Sequence, residues 1–530
     1  MPPESPGDIV EEEAMKQYPS IFNDVIGPVM VGQSSSHTAA SVRIGNVIRQ
    51  LAGNDAVKKI KFAFDTEGSL ATTYNHQGSD IGLLAGLLGF ETYDLRIPDA
   101  YRYADEAGMD YLFEVKNIGP GHPNAYYINF TSSAGRQIAL TAVSSGGGMI
   151  EIIDYMGFPV SIDGGFYETL IVCDSSECAA IADKIRRALT CEHTLKLSDD
   201  KDGKSLINIK SEEEISSVFT DINAQWLKPI MPVMSQIHPL VPFVTCDEIE
   251  KYIADSKLPL WELAVIYESQ RSGLSAEAVI DRMMEIVKIL KKSLSTPLDK
   301  HDKKIDDRIL QNQSHLIDEN SKLLGGSFNA NVIRHVTRFM DIKTSMGVFV
   351  AAPTAGSCGC LSGTVFALAE ELGLEDAEVA KAMLSAGLIG VIIAYHSTFA
   401  AEVCGCQAEC GAGSGMCAAA CVEILKGTAK QSFSAASMAL QNIFGMVCDP
   451  VANKVEVPCL GKNILCAFNA IAGANMAMSG FDEVIPLDET IIAMDSVGRA
   501  IPRELRCTGL GGLSVTKTSL RILAGKDGFA

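Results

Sequence analysis

The chain has 530 residues, enough for several domains, each with its own core. Asp and Glu number 65 against 44 Lys and Arg, a formal net charge of −21. That balance argues against a nucleic-acid backbone as ligand, because there is no basic excess to release counterions, while a small anion needs only a local cluster of N–H donors. The first residues, Met1-Pro2-Pro3-Glu4-Ser5, carry neither a basic nor an apolar leader pattern. With an odd cysteine count, the expected location is cytoplasmic, with no membrane or nucleic-acid partner.

The first third reads as mixed α/β. Gly32-Gln33-Ser34-Ser35-Ser36-His37-Thr38 precedes a helix whose middle falls at 46–51. Such a serine run is either a plain N-cap or a set of hydroxyls and helix N–H groups that bind a carboxylate. Residues 59–65 alternate as a strand, and 79–88 return to helical spacing with Gly89 as C-cap. Further strands are predicted at 125–131, 137–143 and 149–155, with Gly146-Gly147-Gly148 as a tight turn between the last two. His122-Pro123-Asn124 follows Gly119-Pro120-Gly121, a rigid turn that would fix an imidazole.

A small unit is expected over about 166–235, with strand, helix and two strands in order. This order resembles an ACT-type regulatory domain. The usual glycine of that domain's ligand-binding turn is absent from Asp174-Ser175-Ser176-Glu177-Cys178, so packing is the alternative to amino-acid sensing. The segment 229–242 has four prolines and reads as a linker. Helix dominates beyond it, from about 240 to the end. Thr245-Cys246-Asp247-Glu248 has capping-box form, and 293–307 reads as a charged exposed loop. Residues 383–401 are apolar enough to span a membrane, but Ser385, His396, Ser397 and Thr398 favour a buried core helix, followed by a cysteine-rich polar loop. From 347 to 473 Ala, Gly and Leu dominate, as in helices packed closely around something buried.

Eleven of the fifteen cysteines lie between Cys358 and Cys507. Gathered thiols in a protein without a secretion pattern suggest zinc or an iron–sulfur cluster and not disulfides. Cys406 and Cys448 are 42 residues apart, Cys448 and Cys459 are 11 apart, and no C-x-x-C pair occurs. Spacing alone therefore identifies no metal. Gly405 permits close approach of a bulky group, while Pro450 and Pro458 stiffen the chain beside Cys448 and Cys459. Cys360, Cys404, Cys410, Cys417, Cys421 and Cys466 read as small apolar core residues.

Gly405-Cys406-Gln407-Ala408-Glu409 and Cys448-Asp449-Pro450-Val451 through Val457-Pro458-Cys459 resemble the cluster motifs of the iron–sulfur-dependent L-serine dehydratases. Ala352-Pro353-Thr354-Ala355-Gly356-Ser357-Cys358-Gly359 resembles that family's upstream loop, and Gly511-Gly512-Leu513 its closing segment. The similarity spans roughly 20–160 and 240–520. It implies an α/β beta-type domain over 1–165, an ACT-like unit over 166–235 and a mostly helical catalytic domain over 240–530. It also implies a [4Fe–4S] cluster on Cys406, Cys448 and Cys459, with one iron left open. Some members fill that iron with a C-terminal cysteine. This chain's last residues, Lys526 to Ala530, contain none, and Cys507 is a candidate substitute.

The family's Gly-Pro-Ser-Ser-Ser-His-Thr motif matches 32–38, with Gln33 in place of proline and Ala40 in place of glycine. The resemblance carries His37 and His122 over as catalytic candidates, and His76 with a less defined role. Ser34, Ser35, Ser36, Thr38, Asn124, Thr354 and Ser357 are carried over as substrate-binding candidates. Dehydrating a β-hydroxy amino acid needs a base for the α-proton and help for hydroxide departure. A near-neutral histidine suits the first task and an open cationic iron the second. For serine the products are pyruvate and ammonia. A lyase for threonine, cysteine or another β-substituted amino acid, a non-catalytic iron–sulfur protein and a zinc-stabilised protein are the alternatives. The family suggests association as a homodimer.

Overall fold

The computed structural model describes residues 18–525, except 54–56, 120, 199–200, 219–221, 254–255, 257, 299–307 and 319–322. Its N-terminal part is a mixed α/β region with sheets, and its C-terminal part is largely helical. The two are stitched together early by a short antiparallel pair, β1 (Val29–Met30) with a late strand at Phe349–Val350.

Alternating burial builds the first sheet. Strands β2 (Val57–Asp65), β3 (Asp110–Lys116), β4 (Ala125–Ser132), β5 (Gln137–Gly146), β6 (Met149–Tyr155) and β7 (Phe158–Ile162) lie in the order β3-β2-β4-β5-β6-β7. Only β2–β3 is parallel. In β5, Ile138, Leu140 and Ala142 point inward while the residues between them face outward or sit at the edge, the period-2 pattern of a half-buried strand. The helices Ala40–Leu51 and Ser79–Leu87 cover that inner face. They cross at glycines: a Cβ on Gly86 would lie 2.8 Å from the Gly45 Cα and 2.1 Å from the Val42 carbonyl oxygen. After the second helix Gly89 takes a positive φ, and its N–H and that of Phe90 reach Gly86 O and Ala85 O, closing the expected C-cap.

Strands β8 (Tyr167–Asp174), β9 (His193–Leu197), β10 (Lys204–Ser211) and β11 (Gln225–Leu227) form an antiparallel sheet in the order β11-β8-β10-β9. The helix Ser175–Ala188 packs on Ile171, Ile207 and Ile209, while Leu170 and Leu206 face the other way, into the core of the first region. The proline-rich segment 229–242 contains no strand or helix and is pinned by Asn23, whose side chain both donates to Val233 O and accepts from Val233 N.

The capping box of Thr245 and Glu248 opens the helix Cys246–Tyr252, a local arrangement worth about 1 kcal/mol. Two expectations need correction here. The helix Ala276–Ser295 runs into the segment read as an exposed loop, because Ser293 is buried and its hydroxyl donates to Val348 O, beside β12 (Phe349–Val350). Residues 296–298 of that segment are non-helical, and 299–307 lie outside the described residues. The stretch after the apolar helix Asp376–His396 is not a polar loop either: it folds into buried turns at Ala401–Cys404 and Cys406–Ala408. The Asp376–His396 helix is a core helix, with 78% of its apolar window inside the protein. At the centre of the region every residue of the helix Cys410–Ile424 is buried, so its small side chains face neighbours on all sides.

Candidate active site

The two regions meet where the β5–β6 turn touches the helical side. Gly146 has φ 107°, and a Cβ there would lie 2.7 Å from the Ala400 amide nitrogen, so both the backbone and the contact require glycine. Two residues past Ala400 is Glu402, and close by on the N-terminal side is His37.

Ser34 is extended, and Ser35–Ala39 then make a π-helical turn that leads into the Ala40–Leu51 helix. The turn is held from outside itself: Thr38 Oγ1 donates to Gln77 O at 2.9 Å, and Tyr126 OH donates to Ser36 O at 3.4 Å. His37 is wholly buried. Its Nε2 lies 3.0 Å from Thr73 Oγ1, whose own proton goes to Ser69 O at 2.7 Å. Thr73 must therefore accept, which places the imidazole proton on Nε2 and the lone pair on Nδ1. That lone pair faces Ser34 Oγ at 3.0 Å and Glu402 Oε1 at 3.7 Å.

His122 accepts from Asn124 N at Nδ1, 3.2 Å, and lines a cavity of about 320 Å³ with Glu402, Arg506 and Thr508. Asn124 is buried with both side-chain amide atoms unpartnered, and Glu402 Oε2 and Arg506 Nε are in the same condition. Buried polar atoms are seldom left so.

On the helical side, Thr354 and Ser357 form a 3-10 turn, with Ser357 Oγ 3.2 Å from Thr354 Oγ1 and donating to Ala352 O. Ala355 N donates to Ser35 Oγ at 3.2 Å, joining this turn to the serine run. Behind it, ligand atoms of Cys406, Cys448 and Glu409 lie within 4.8 Å of one another. Cys459 is outside that tight group, buried in the first turn of the helix Val457–Met478. Lys462, one turn further, donates to Asp449 Oδ1 at 2.9 Å and to Val447 O. The fully buried Lys343 donates to Val455 O at 2.9 Å. Cys507 N donates to Cys448 O at 2.9 Å, and the Cys507 sulfur packs with Cys406 and Cys448 against Ala401.

Burial lowers His37 to about 3, so it is neutral here, in contrast to the near-neutral base expected. Burial also lowers His122 and raises Glu402. Hydrogen bonds from the Cys410 and Cys448 thiols, aided by Lys462, bring Cys406 well below the ordinary thiol range. Burial raises Cys459, with the Lys343 ammonium opposing it. Burial and then the neighbouring Cys406 push Glu409 up to about 8. Burial works against the Lys462 charge, yet Cys406 and Cys448 hold its pKa above the ordinary lysine range.

The fold thus pairs Ser34 with His37 and joins Ser35 to the Thr354 turn through Ala355 N, with Cys406, Cys448 and Glu409 grouped behind that turn. Thr38 and Ser357 have their hydroxyls engaged by their own chain. Ser36 is buried in the same turn, and His76 lies on the turn after Thr73. Cys410, read as core filler, is buried but touches the Cys406 sulfur and donates to Gly356 O. Cys360, Cys417, Cys421 and Cys466 are buried in the main core, and His396 faces Asp488 at 3.4 Å. Sequence reasoning missed Thr73, Lys343, Glu402, Lys462 and Arg506. Glu402 had a signal, as the one acidic residue in the apolar run from Met383 to Val403. Lys462 had another, one helical turn after Cys459.

Residues 255–514 match the family described as "Serine dehydratase alpha chain". The chain is 33% identical over 282 residues to the "L-serine dehydratase, alpha chain" of Peptoniphilus asaccharolyticus, covering 52% of this chain and 96% of that one. It is 41% identical over 197 residues to the "Probable L-serine dehydratase, alpha chain" of Bacillus subtilis strain 168, covering 37% of this chain and 66% of that one. The probable beta chain of the same organism is 42% identical over 156 residues, covering 29% of this chain and 69% of the relative. With alpha-chain similarity in its helical part and beta-chain similarity elsewhere, the chain belongs to the L-serine dehydratase family.

Proposed function

We propose that the chain is an L-serine dehydratase, a carbon–nitrogen lyase that converts L-serine to pyruvate and ammonia, with a [4Fe–4S] cluster held by Cys406, Cys448 and Cys459. The observation that carries this reading is the meeting of a buried, neutral His37 with a buried thiol group across one region boundary, with unpartnered Asn124, Glu402 and Arg506 atoms beside it. The residues fit such a cluster: soft thiols in a dry setting, with Lys343 and Lys462 supplying positive charge against sulfur anions. When bound, the cluster supplies Lewis acidity for departure of the β-hydroxyl.

The protein's own part is to bind, orient and move a proton. Ser34, Ser35, Ser36 and Thr354, with the Asn124 amide, hold the substrate carboxylate and ammonium, while Thr38 and Ser357 keep their loops in shape. His37 takes the α-proton at Nδ1. Burial makes imidazolium costly, and the Glu402 carboxylate at 3.7 Å offsets part of that cost when it is ionised, although burial also raises its own pKa. His122, at the cavity, positions Asn124 and serves proton exchange with water. The enamine formed by elimination tautomerises and hydrolyses to pyruvate and ammonia.

The regions 1–165, 166–235 and 240–530 act as beta-type, ACT-like and catalytic domains of a cytoplasmic homodimer. The β11-β8-β10-β9 order supports the ACT-like assignment, since it is the ferredoxin-like arrangement with the second helix reduced to the turn Ser216–Val218. A same-type lyase for threonine or cysteine is the second reading, favoured by the buried, unpartnered Gln33 Oε1 at the family's proline position. Anaerobic reconstitution with iron and sulfide analysis, paired with a 2-oxo acid assay over a substrate panel, tests both readings. Cys448→Ser loses iron and turnover together; normal iron in that variant overturns the ligand set.

A further inference from the structure

A second, larger cavity lies away from the junction just described. A cleft of about 1580 Å³ opens where the Ala40–Leu51 helix, strand β11 and the Ala276–Ser295 helix converge. Its lining carries Arg43, Arg49, Arg136, Lys228, Arg282 and Lys292, against the acids Glu91 and Glu285. Six cations to two anions is the reverse of the chain's own balance, 44 basic to 65 acidic.

Only one of these cations is in an ion pair among the described residues. Lys228 pairs with Glu214 at 2.9 Å, and Arg136 donates to Gln225 Oε1 and to Ala52 O. Arg43, Arg49, Arg282 and Lys292 form no ion pair among the described residues. Arg43 is the most telling, because it is buried and only its Nη1 is engaged, by Gly148 O at 2.6 Å and the Met149 sulfur. Like charges gathered in a concave, partly desolvated space repel one another, a cost that is offset when an anion of several charges enters. Trp226, Tyr93 and Ile289 provide apolar walls, so the space suits an organic anion better than a bare ion.

We infer that this cleft binds a small organic polyanion, bearing phosphoryl groups or several carboxylates. Its position gives such a ligand a route to the junction. Arg43 and Arg49 stand on the helix that continues the His37 turn, and Val348 on the segment that leads through β12 to Thr354. A bound anion would tie the β11 edge of the middle sheet to both other regions.

Calorimetric titration of the anaerobically reconstituted full chain with inorganic pyrophosphate, and separately with tricarballylate, tests the site at low and high salt. The expected result is saturable binding of at least one anion, weakened by salt and by on the order of tenfold or more in the doubly reversed variant Arg282→Glu, Lys292→Glu. Neither residue belongs to the catalytic machinery, so serine turnover and the melting temperature show that this variant is folded. Iron content after each titration separates site binding from chelation. The stronger of the two anions assigns the phosphoryl or the carboxylate class. Absence of saturable binding by either anion at millimolar concentration, or binding indifferent to the double reversal, overturns the inference.

Discussion

The two walls of the junction handle polarity in opposite ways. The N-terminal wall is built from neutral groups whose protons are assigned by a chain of hydrogen bonds: Ser69 O takes the Thr73 proton, Thr73 takes that of His37, and Nδ1 is left as an acceptor facing Ser34 Oγ. The helical wall is built from ionisable groups that offset one another, thiols and Glu409 against Lys343 and Lys462. A neutral wall can present a base in a dry place without a counter-charge. A charged wall can hold an anionic group there only if the charges are balanced. Glu402 is the residue that crosses between them, rooted beside Cys404 and reaching His37.

Removing the base should have the largest effect. His37→Ala is expected to lower turnover by about a thousandfold while iron and sulfide stay bound, as read by steady-state kinetics beside metal analysis. Equal loss of both would mean that the walls are not separable. Lys462→Met should do the converse, weakening iron retention by on the order of tenfold to a hundredfold in a chelator challenge, because the thiolates lose their nearest compensating cation. Retention unchanged by that substitution would remove the charge-balance account of the helical wall. Glu402→Gln is expected to cost about tenfold in turnover, with iron intact, through loss of the charge that stabilises a protonated His37. A larger effect on iron than on turnover would assign Glu402 to the helical wall alone.

The smallest effect concerns a buried carboxylate remote from the junction. Glu168 lies 3.5 Å from Lys210 on β8 and β10, yet burial outweighs that attraction and raises it from 4.5 to about 7. A carboxyl whose folded pKa is raised binds its proton more tightly in the folded state. Stability therefore falls as pH rises from about 4.5 to about 7 and is level above that range. Denaturant melts across those pH values should show a slope that Glu168→Gln flattens, by about 3 kcal/mol at most over the interval. A melt with the same slope in both proteins would show that the Lys210 ammonium neutralises Glu168 after all.

Local signals were legible where one segment carries its own reason. Alternation in 125–131, 137–143 and 149–155 became β4, β5 and β6, Gly89 closed its helix, and Thr245 with Glu248 formed the capping box. Expectations strayed where burial is decided by distant segments. Ser293 looked like the start of a loop until Val348 supplied an acceptor, and the turns after His396 looked polar although distant helices bury them, as where Gln407 donates to Met494 O. The helix Cys410–Ile424 has no polar stripe to read, because neighbours surround it on every side.

The resemblance of the sequence's motifs pointed to Cys406, Cys448 and Cys459 and to a histidine turn at 34–38, since side-chain chemistry travels with the residue. Only the tertiary structure could decide which nitrogen of His37 is the acceptor, that Glu402 faces it, that Lys343 and Lys462 balance the thiols, and that six cations share one cleft. These are properties of pairs far apart in sequence. Their strength depends on separation and burial, and neither quantity exists until the chain has folded.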